Sequence, residues 1–298
     1  MRIPYKQLGL SLIELMVALA LSSLLIIGVL QIFLSSKQTY MTNNSLSQLQ
    51  EIGRFSLDFM TEDIRNAGYK GECLGFPTNH TSDGVGGVLW TLDEPVRGWE
   101  SVEPNHVDRT VLANTDSISV QFAAGDQVEL NGTAANGVGV NTLSLDADHG
   151  VSQNTITLVS EALGCDLFVH TGTASNQLAK GDATDWSIDY SDQVEVMTLR
   201  SVTYFVANND DGVPALYSQR LIAGPDWDES EELVTGVESM QLLYGIAGAN
   251  EQVSSYVTAD AVTNWGSVSA VQVELTALSD EGIRQTFTST IGIRNRLP

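Results

Sequence analysis

Gly9-Leu10-Ser11-Leu12-Ile13-Glu14 opens an apolar run that continues to Leu34, and the fold turns on how this run is read. From Leu10 to Leu34 the only formally charged residue is Glu14. A run of this length can cross a bilayer as a helix. A carboxylate near its start is expensive in lipid and reads by default as functional. The rest of the chain looks like cargo on a membrane-inserted stalk.

Two ordinary readings leave part of this N-terminus unexplained. A secretory signal peptide has a basic start, a short apolar core and a small-residue cleavage site. Arg2 and Lys6 supply the basic start, but the run is too long and no Ala-x-Ala site follows it. A plain single-span anchor would keep Arg2 and Lys6 in the cytoplasm and send the C-terminal bulk out. Neither reading accounts for Glu14, or for Gly9 just before the run.

The pattern stays helical beyond the run. From Ser35 to Ala67 there is no proline, and the only glycine is Gly53. Leu46, Leu49, Ile52, Phe55 and Phe59, with Leu57, Met60 and Ile64 beside them, recur at spacings of three and four. Such spacing marks one face of a helix. One long helix is therefore predicted from Leu10 to Ala67. Its first half lies in the membrane, and its second half packs this stripe against the head. Gly68 and the Gly71–Gly75 region end it.

Phe76 to Asn114 is rich in Gly, Pro, Asn and Asp and reads as an irregular excursion. From Ser117 the period changes to two. Ile118, Val120 and Phe122 alternate with polar residues, as do Ile156 and Leu158, then Val271, Val273 and Leu275. Turn clusters at Ala124–Asp126, Asn208–Gly212 and Asp280–Gly282 separate the runs. This is the signature of antiparallel strands and hairpins. Val202–Ala207 and Ala215–Leu221 pair as a hairpin. Leu233–Ile246 and Ser267–Ala277 are two further strands, and Gln285–Ile293 closes the sheet. The expected class is α+β, a long helix on a mostly antiparallel β head.

Charge and cysteines bound the function. The 298-residue chain carries a net charge of −23. Lys37, Arg54, Arg65 and Lys70 cancel Glu51, Asp58, Glu62 and Asp63, so nearly all the excess lies beyond Lys70. An acidic head repels phosphates, so no nucleic-acid partner is expected. Cys73 and Cys165 match no zinc or thioredoxin motif. They are either one bridge or two buried thiols. The membrane segment favours the bridge, because the head then lies outside the cytoplasm.

The chain shows no nucleophile elbow, P-loop or His-Glu-x-x-His, and His80, His106, His149 and His170 lack metal-ligand spacing. Asp146–Gly150 and Asn208–Gly212 offer oxygens for calcium, but neither is an EF-hand loop. Turn formation alone explains their composition. No catalytic residue, metal or cofactor is expected, and the chain is not expected to be an enzyme.

The opening stretch resembles the class III signal of type IV prepilins. In that family a short basic leader ends in glycine, and a dedicated peptidase cuts before the apolar helix and methylates the new amine. Gly9 matches the last leader residue, Leu10 the first mature position and Glu14 the fifth. Ser11-Leu12-Ile13-Glu14-Leu15-Met16 is similar to the family's Thr-Leu-Ile-Glu-Leu core. Leu10 departs from the commonest phenylalanine, and no proline kinks the helix. Gln31–Tyr40, Gln50–Phe55, Asp63–Tyr69, Gly236–Gly245 and Ile293–Arg296 resemble PilW-type minor pilins more narrowly.

The resemblance implies a type IV pilin-like fold divided as leader 1–9, transmembrane or fibre-core helix 10–34, amphipathic stalk 35–70 and periplasmic head 71–298. It implies a minor pilin that helps prime pilus assembly, near the tip, supporting twitching motility, adhesion or DNA uptake. Gly9 and Leu10 would be the cleavage and methylation site, and Glu14 would set subunit register. Partners would be other minor pilins, the major pilin, prepilin peptidase, the inner-membrane assembly platform and, in some systems, a tip adhesin. The protein would sit in the inner membrane before assembly and in a surface pilus afterwards. The alternatives are a J-type pseudopilin of a type II secretion system and, in another class, a membrane-anchored periplasmic enzyme.

Overall fold

The computed structural model describes residues 11–81, 88, 90–129, 141–182, 184–190, 193–223, 226–248 and 252–296. One helix, α1 (Leu12–Asn66), runs 55 residues without a break. Its end is set at Ala67, whose N–H bonds Ile64 O, and at Gly68, whose N–H donates to Gln121 O at 2.8 Å and carries the chain into the sheet.

The head is two antiparallel sheets and a small satellite. The strands are β1 (Thr78–Asn79), β2 (Val96–Trp99), β3 (Ser117–Glu129), β4 (Thr142–Ser144), β5 (Ile156–Glu161), β6 (Gly164–Val169) and β7 (Gln177–Ala179). Then come β8 (Gln193–Asn208), β9 (Pro214–Ala223), β10 (Asp226–Trp227), β11 (Glu231–Thr235) and β12 (Val237–Ala247). Last are β13 (Val253–Val257), β14 (Val268–Leu278) and β15 (Arg284–Gly292). The larger sheet runs β1-β6-β5-β8-β3-β2, with β9 also on β8 and β10 and β11 on β9. Only the short β1–β6 pair is parallel among the described strands. The smaller sheet is β13-β12-β14-β15, and β4 pairs β7.

The period-two runs become strands as expected, but they do not form one sheet. Leu233–Ile246 is broken at Gly236, whose φ of 87° lies in the left-handed region. Before it, β11 pairs β9 in the larger sheet; after it, β12 pairs β14 in the smaller one. Gly236 N–H donates to Pro214 O, and its carbonyl accepts from Leu278 N–H, both at 2.7 Å. A Cβ there would sit 2.8 Å from Leu278 O, so glycine is required at the crossing.

The main core fills the space between α1 and the two sheets. Leu49, Ile52, Met60 and Ile64 of α1 meet Val120, Val202 and Tyr204 of the larger sheet and Met240, Val273 and Ile291 of the smaller. The helix face differs from the expected stripe. Leu46, Phe55 and Phe59 are 40%, 47% and 46% exposed, while Ser45, Gly53 and Ser56 are buried with Leu49, Ile52, Met60 and Ile64. The small residues let the helix axis approach the sheet closely, so bulk is displaced to the rim. A second core holds Cys73, Trp90, Leu92, Leu167 and Met197. A third, under β4 and β7, holds Leu143, Phe168, Trp186 and Tyr190.

Candidate functional site

The start of α1 is a reciprocal cap. Ser11 is the N-cap, with φ −75° and ψ 149°. Glu14 N–H donates to Ser11 Oγ at 3.2 Å, and Ser11 N–H donates to Glu14 Oε2 at 3.0 Å. Two donors that a helix start leaves open are thereby satisfied. The carboxylate also sits at the positive end of the helix dipole. The charge that looks misplaced in the sequence thus has a local partner on one oxygen. Glu14 Oε1 has none among the described residues. Gly9 and Leu10 lie outside the described residues.

From Ser11 to Asn44 every side chain is exposed except Gly28 and Met41, which are half-buried. Ser45 is the first buried residue of α1. Leu12–Leu34 is uncovered and, apart from Glu14, Ser22, Ser23 and Gln31, apolar on all sides, which suits an apolar environment. By length and composition this helix can cross a membrane. Where the helix meets the head, Phe55 and Phe59 line a cavity of about 410 Å³ with Ile52, Leu233 and Val234.

At the far corner of the head Cys73 and Cys165 are bridged, with Cα atoms 5.8 Å apart. Asp166, next in the chain, is fully buried and anchors an ionic network. It accepts from His80 Nε2 at 2.7 Å, from Ser187 Oγ at 2.7 Å and from Tyr190 OH at 2.5 Å. Burial pushes the Asp166 carboxyl up, but the bonds from His80, Tyr190 and Ser187 outweigh it and hold it below the usual range. His80 Nδ1 reaches Asp182 Oδ2 at 2.9 Å and Thr184 Oγ1 at 2.8 Å. Its bond to Asp166 raises the imidazole's pKa against the opposing effect of burial. Lys180, fully buried, pairs with Asp182 at 3.3 Å and lies over the Trp186 ring.

A hydroxyl, an imidazole and an ammonium in bonding reach are the parts of a nucleophilic site. Here they are spent on each other. The Thr184 hydroxyl donates to Asp182 and meets Lys180 Nζ at 3.0 Å, and Lys180 also donates to the Thr184 carbonyl. Asp166 and Asp182 face the His80 imidazole and the Lys180 ammonium, so the buried ionisable groups have partners. The network pins residues 78–80, 180–182 and 184–190 onto β6.

Nothing in the sequence marked His80, Lys180 or Asp182. His80 and Asp182 stand 102 residues apart, and no local spacing joins them. Both candidate calcium loops are turns. Gly150 N–H donates to Asp148 Oδ1 at 2.9 Å, and Asn209 Oδ1 takes the N–H groups of Asp211 and Val213. Among the described residues no three acidic, histidine or cysteine side chains gather as metal ligands.

Two family models match the chain. The prokaryotic N-terminal methylation motif matches residues 4–30, which include the capped start of α1. The type IV pilus-assembly protein W model, PilW, matches residues 203–282. That segment runs from the second half of β8 to the turn after β14, so it spans the crossing at Gly236 and strands of both sheets around α1. No curated protein and no solved structure matches. The PilW model describes a pilus-assembly protein, and neither description names an enzyme. The chain thus joins a segment matching the N-terminal methylation motif, on a long apolar helix, to a head with a PilW-matching region, and in both it is similar to PilW-like, type IV pilus-related pilins.

Proposed function

We propose that the protein is a minor pilin that takes part in priming type IV pilus assembly, positioned near the fibre tip. The observation that carries this reading is the division of α1. Its head half is buried in the core on one face, while its N-terminal half, Leu12–Leu34, is uncovered and apolar apart from Glu14, Ser22, Ser23 and Gln31. Such a helix can rest in a bilayer and then exchange lipid for neighbouring helices, because both surroundings are apolar. The PilW region supports the pilus over the secretion-system pseudopilin.

In this reading prepilin peptidase cuts between Gly9 and Leu10 and methylates the new amine. Glu14 sets register. Ser11 holds one carboxylate oxygen, and Oε1 pairs with the Leu10 amine of a neighbouring subunit. An unpaired charge in this apolar setting is costly, so only the matched axial position is favoured. The head stays in the periplasm until extraction, with other minor pilins, the major pilin and the assembly platform as partners.

Recovery of the chain in sheared surface fibres tests the role. Fibres should carry the wild-type chain in small amounts, and deletion should reduce fibre number. A Glu14→Ala chain should remain in the membrane fraction. Normal incorporation of that variant would refute the register role, and unchanged fibres after deletion would refute the priming role.

A further inference from the structure

The chain has 14 basic residues against 37 acidic ones, so a cation without a counter-charge is unusual. In the head Arg109 pairs with Asp210, Lys180 with Asp182 and Arg284 with Glu238, and Arg97 covers the Trp265 ring. Arg200 and Arg220 differ. Arg200 forms no ion pair among the described residues, and Arg220 comes no closer than 4.0 Å to Glu231. They stand on neighbouring strands, β8 and β9. Phe122 faces Arg200 and Val202 faces Arg220 across the ladders. All four side chains therefore leave one face of the sheet, and the arginines occupy diagonal positions within reach of one another.

This is the face that α1 covers, near the helix end at Asn66. Arg200, Arg220, Phe122, Val202 and Asp63 line a cavity of about 270 Å³ there. Asp63 enters from α1, its Oδ2 accepting from Tyr204 OH at 2.7 Å. Two guanidinium groups and one carboxylate thus share a single small cavity. Like charges at diagonal positions repel; Asp63 is the one carboxylate lining the cavity with them, and Glu231 reaches Arg220 only at 4.0 Å from outside it.

We propose that this cavity binds an oxyanion, a carboxylate or phosphate group, through the Arg200 and Arg220 guanidinium forks. Guanidinium donors match the planar geometry of such oxygens, which makes arginine the residue suited to them. Phe122 and Val202 form an apolar floor, while both arginines are exposed and open to an incoming group. The volume suits one such group rather than a large ligand. The group comes either from a free anion or from an acidic side chain of a neighbouring subunit, the second source resting on the assembly role proposed above. Between acidic subunits an arginine pair would offset like-charge repulsion and fix orientation.

The full-length chain in detergent micelles is melted in sodium phosphate, sodium succinate and sodium chloride at matched ionic strength. Phosphate or succinate should raise Tm by about 2–4 °C over chloride near ten times its dissociation constant. Arg200→Gln/Arg220→Gln should remove the increment. A second arm measures recovery of wild-type and Arg200→Glu/Arg220→Glu chains in sheared fibres. Anion protection with unchanged recovery assigns a free anion. Loss of a normally melting variant from fibres, with no anion effect, assigns a neighbour's carboxylate. No arginine-dependent effect in either arm overturns the proposal. Absence of the wild-type chain from fibres would count against the assembly role alone, and the melting arm then decides.

Discussion

Replacing Gly53 with alanine sets two known effects against each other. Alanine is favoured over glycine in a helix by up to about 1 kcal/mol. At this position its Cβ would lie 2.4, 2.5 and 2.6 Å from Cδ2, Cγ and Cε2 of Phe287 on β15. Carbon contacts are comfortable at about 3.5–4.0 Å, so the ring or the helix must retreat by about 1 Å. Overpacking of this kind costs about 1–3 kcal/mol. The expected net change is destabilisation by about 1 kcal/mol. In a Phe287→Ala background the obstacle is gone, and Gly53→Ala should stabilise by up to about 1 kcal/mol. The two signs make the test internal, since one substitution reverses its effect with a single partner. Urea unfolding of the detergent-solubilised chain, followed by tryptophan fluorescence, reads both. If Gly53→Ala stabilises equally in both backgrounds, the close approach of α1 to β15 is wrong.

Other expectations concern pH and redox state. Burial lowers the His106 pKa from 6.5 to about 4. Between those values the unfolded chain takes up a proton that the folded one refuses, so stability falls as pH drops, by up to about 3 kcal/mol. His106→Gln should flatten the stability profile between pH 7 and 4.5, and an unchanged slope would exclude His106 as the cause. His80 works the other way, because its bond to Asp166 raises its pKa. Its contribution is complete below pH 6.5 and is lost as pH rises through the folded value. His80→Gln should therefore remove a decline in stability on the alkaline side of pH 6.5, measured by the same unfolding curves. Reducing Cys73–Cys165, which closes a span of 92 residues, should cost about 2–5 kcal/mol. A urea midpoint unmoved by reductant would contradict this.

The long helix was legible because its signal is continuous: apolar spacing, no proline and a single glycine. Which face it buries was not. Period counts reward bulk, so Phe55 and Phe59 outweighed Ser45, Gly53 and Ser56, although small side chains permit the closest approach. Strand identity was legible from alternation, but the sheet a strand joins was not. No proline or turn cluster interrupts Leu233–Ile246, and a positive φ at Gly236 separates two sheets. Glu14 stood out because charge in an apolar run is rare, and Ser11, its partner three residues earlier, fits a known cap pattern. Arg200 and Arg220 meet only through strand register, which no local pattern encodes. The His80–Asp166–Asp182 network likewise depends on segments far apart in the chain.

The most direct measurement is the intact mass and N-terminal sequence of the protein taken from the membrane and from fibres. A mature chain that begins at N-methylated Leu10 is expected in both. A chain that keeps Met1–Gly9 in both would contradict processing at Gly9, and with it the role proposed for the helix that follows.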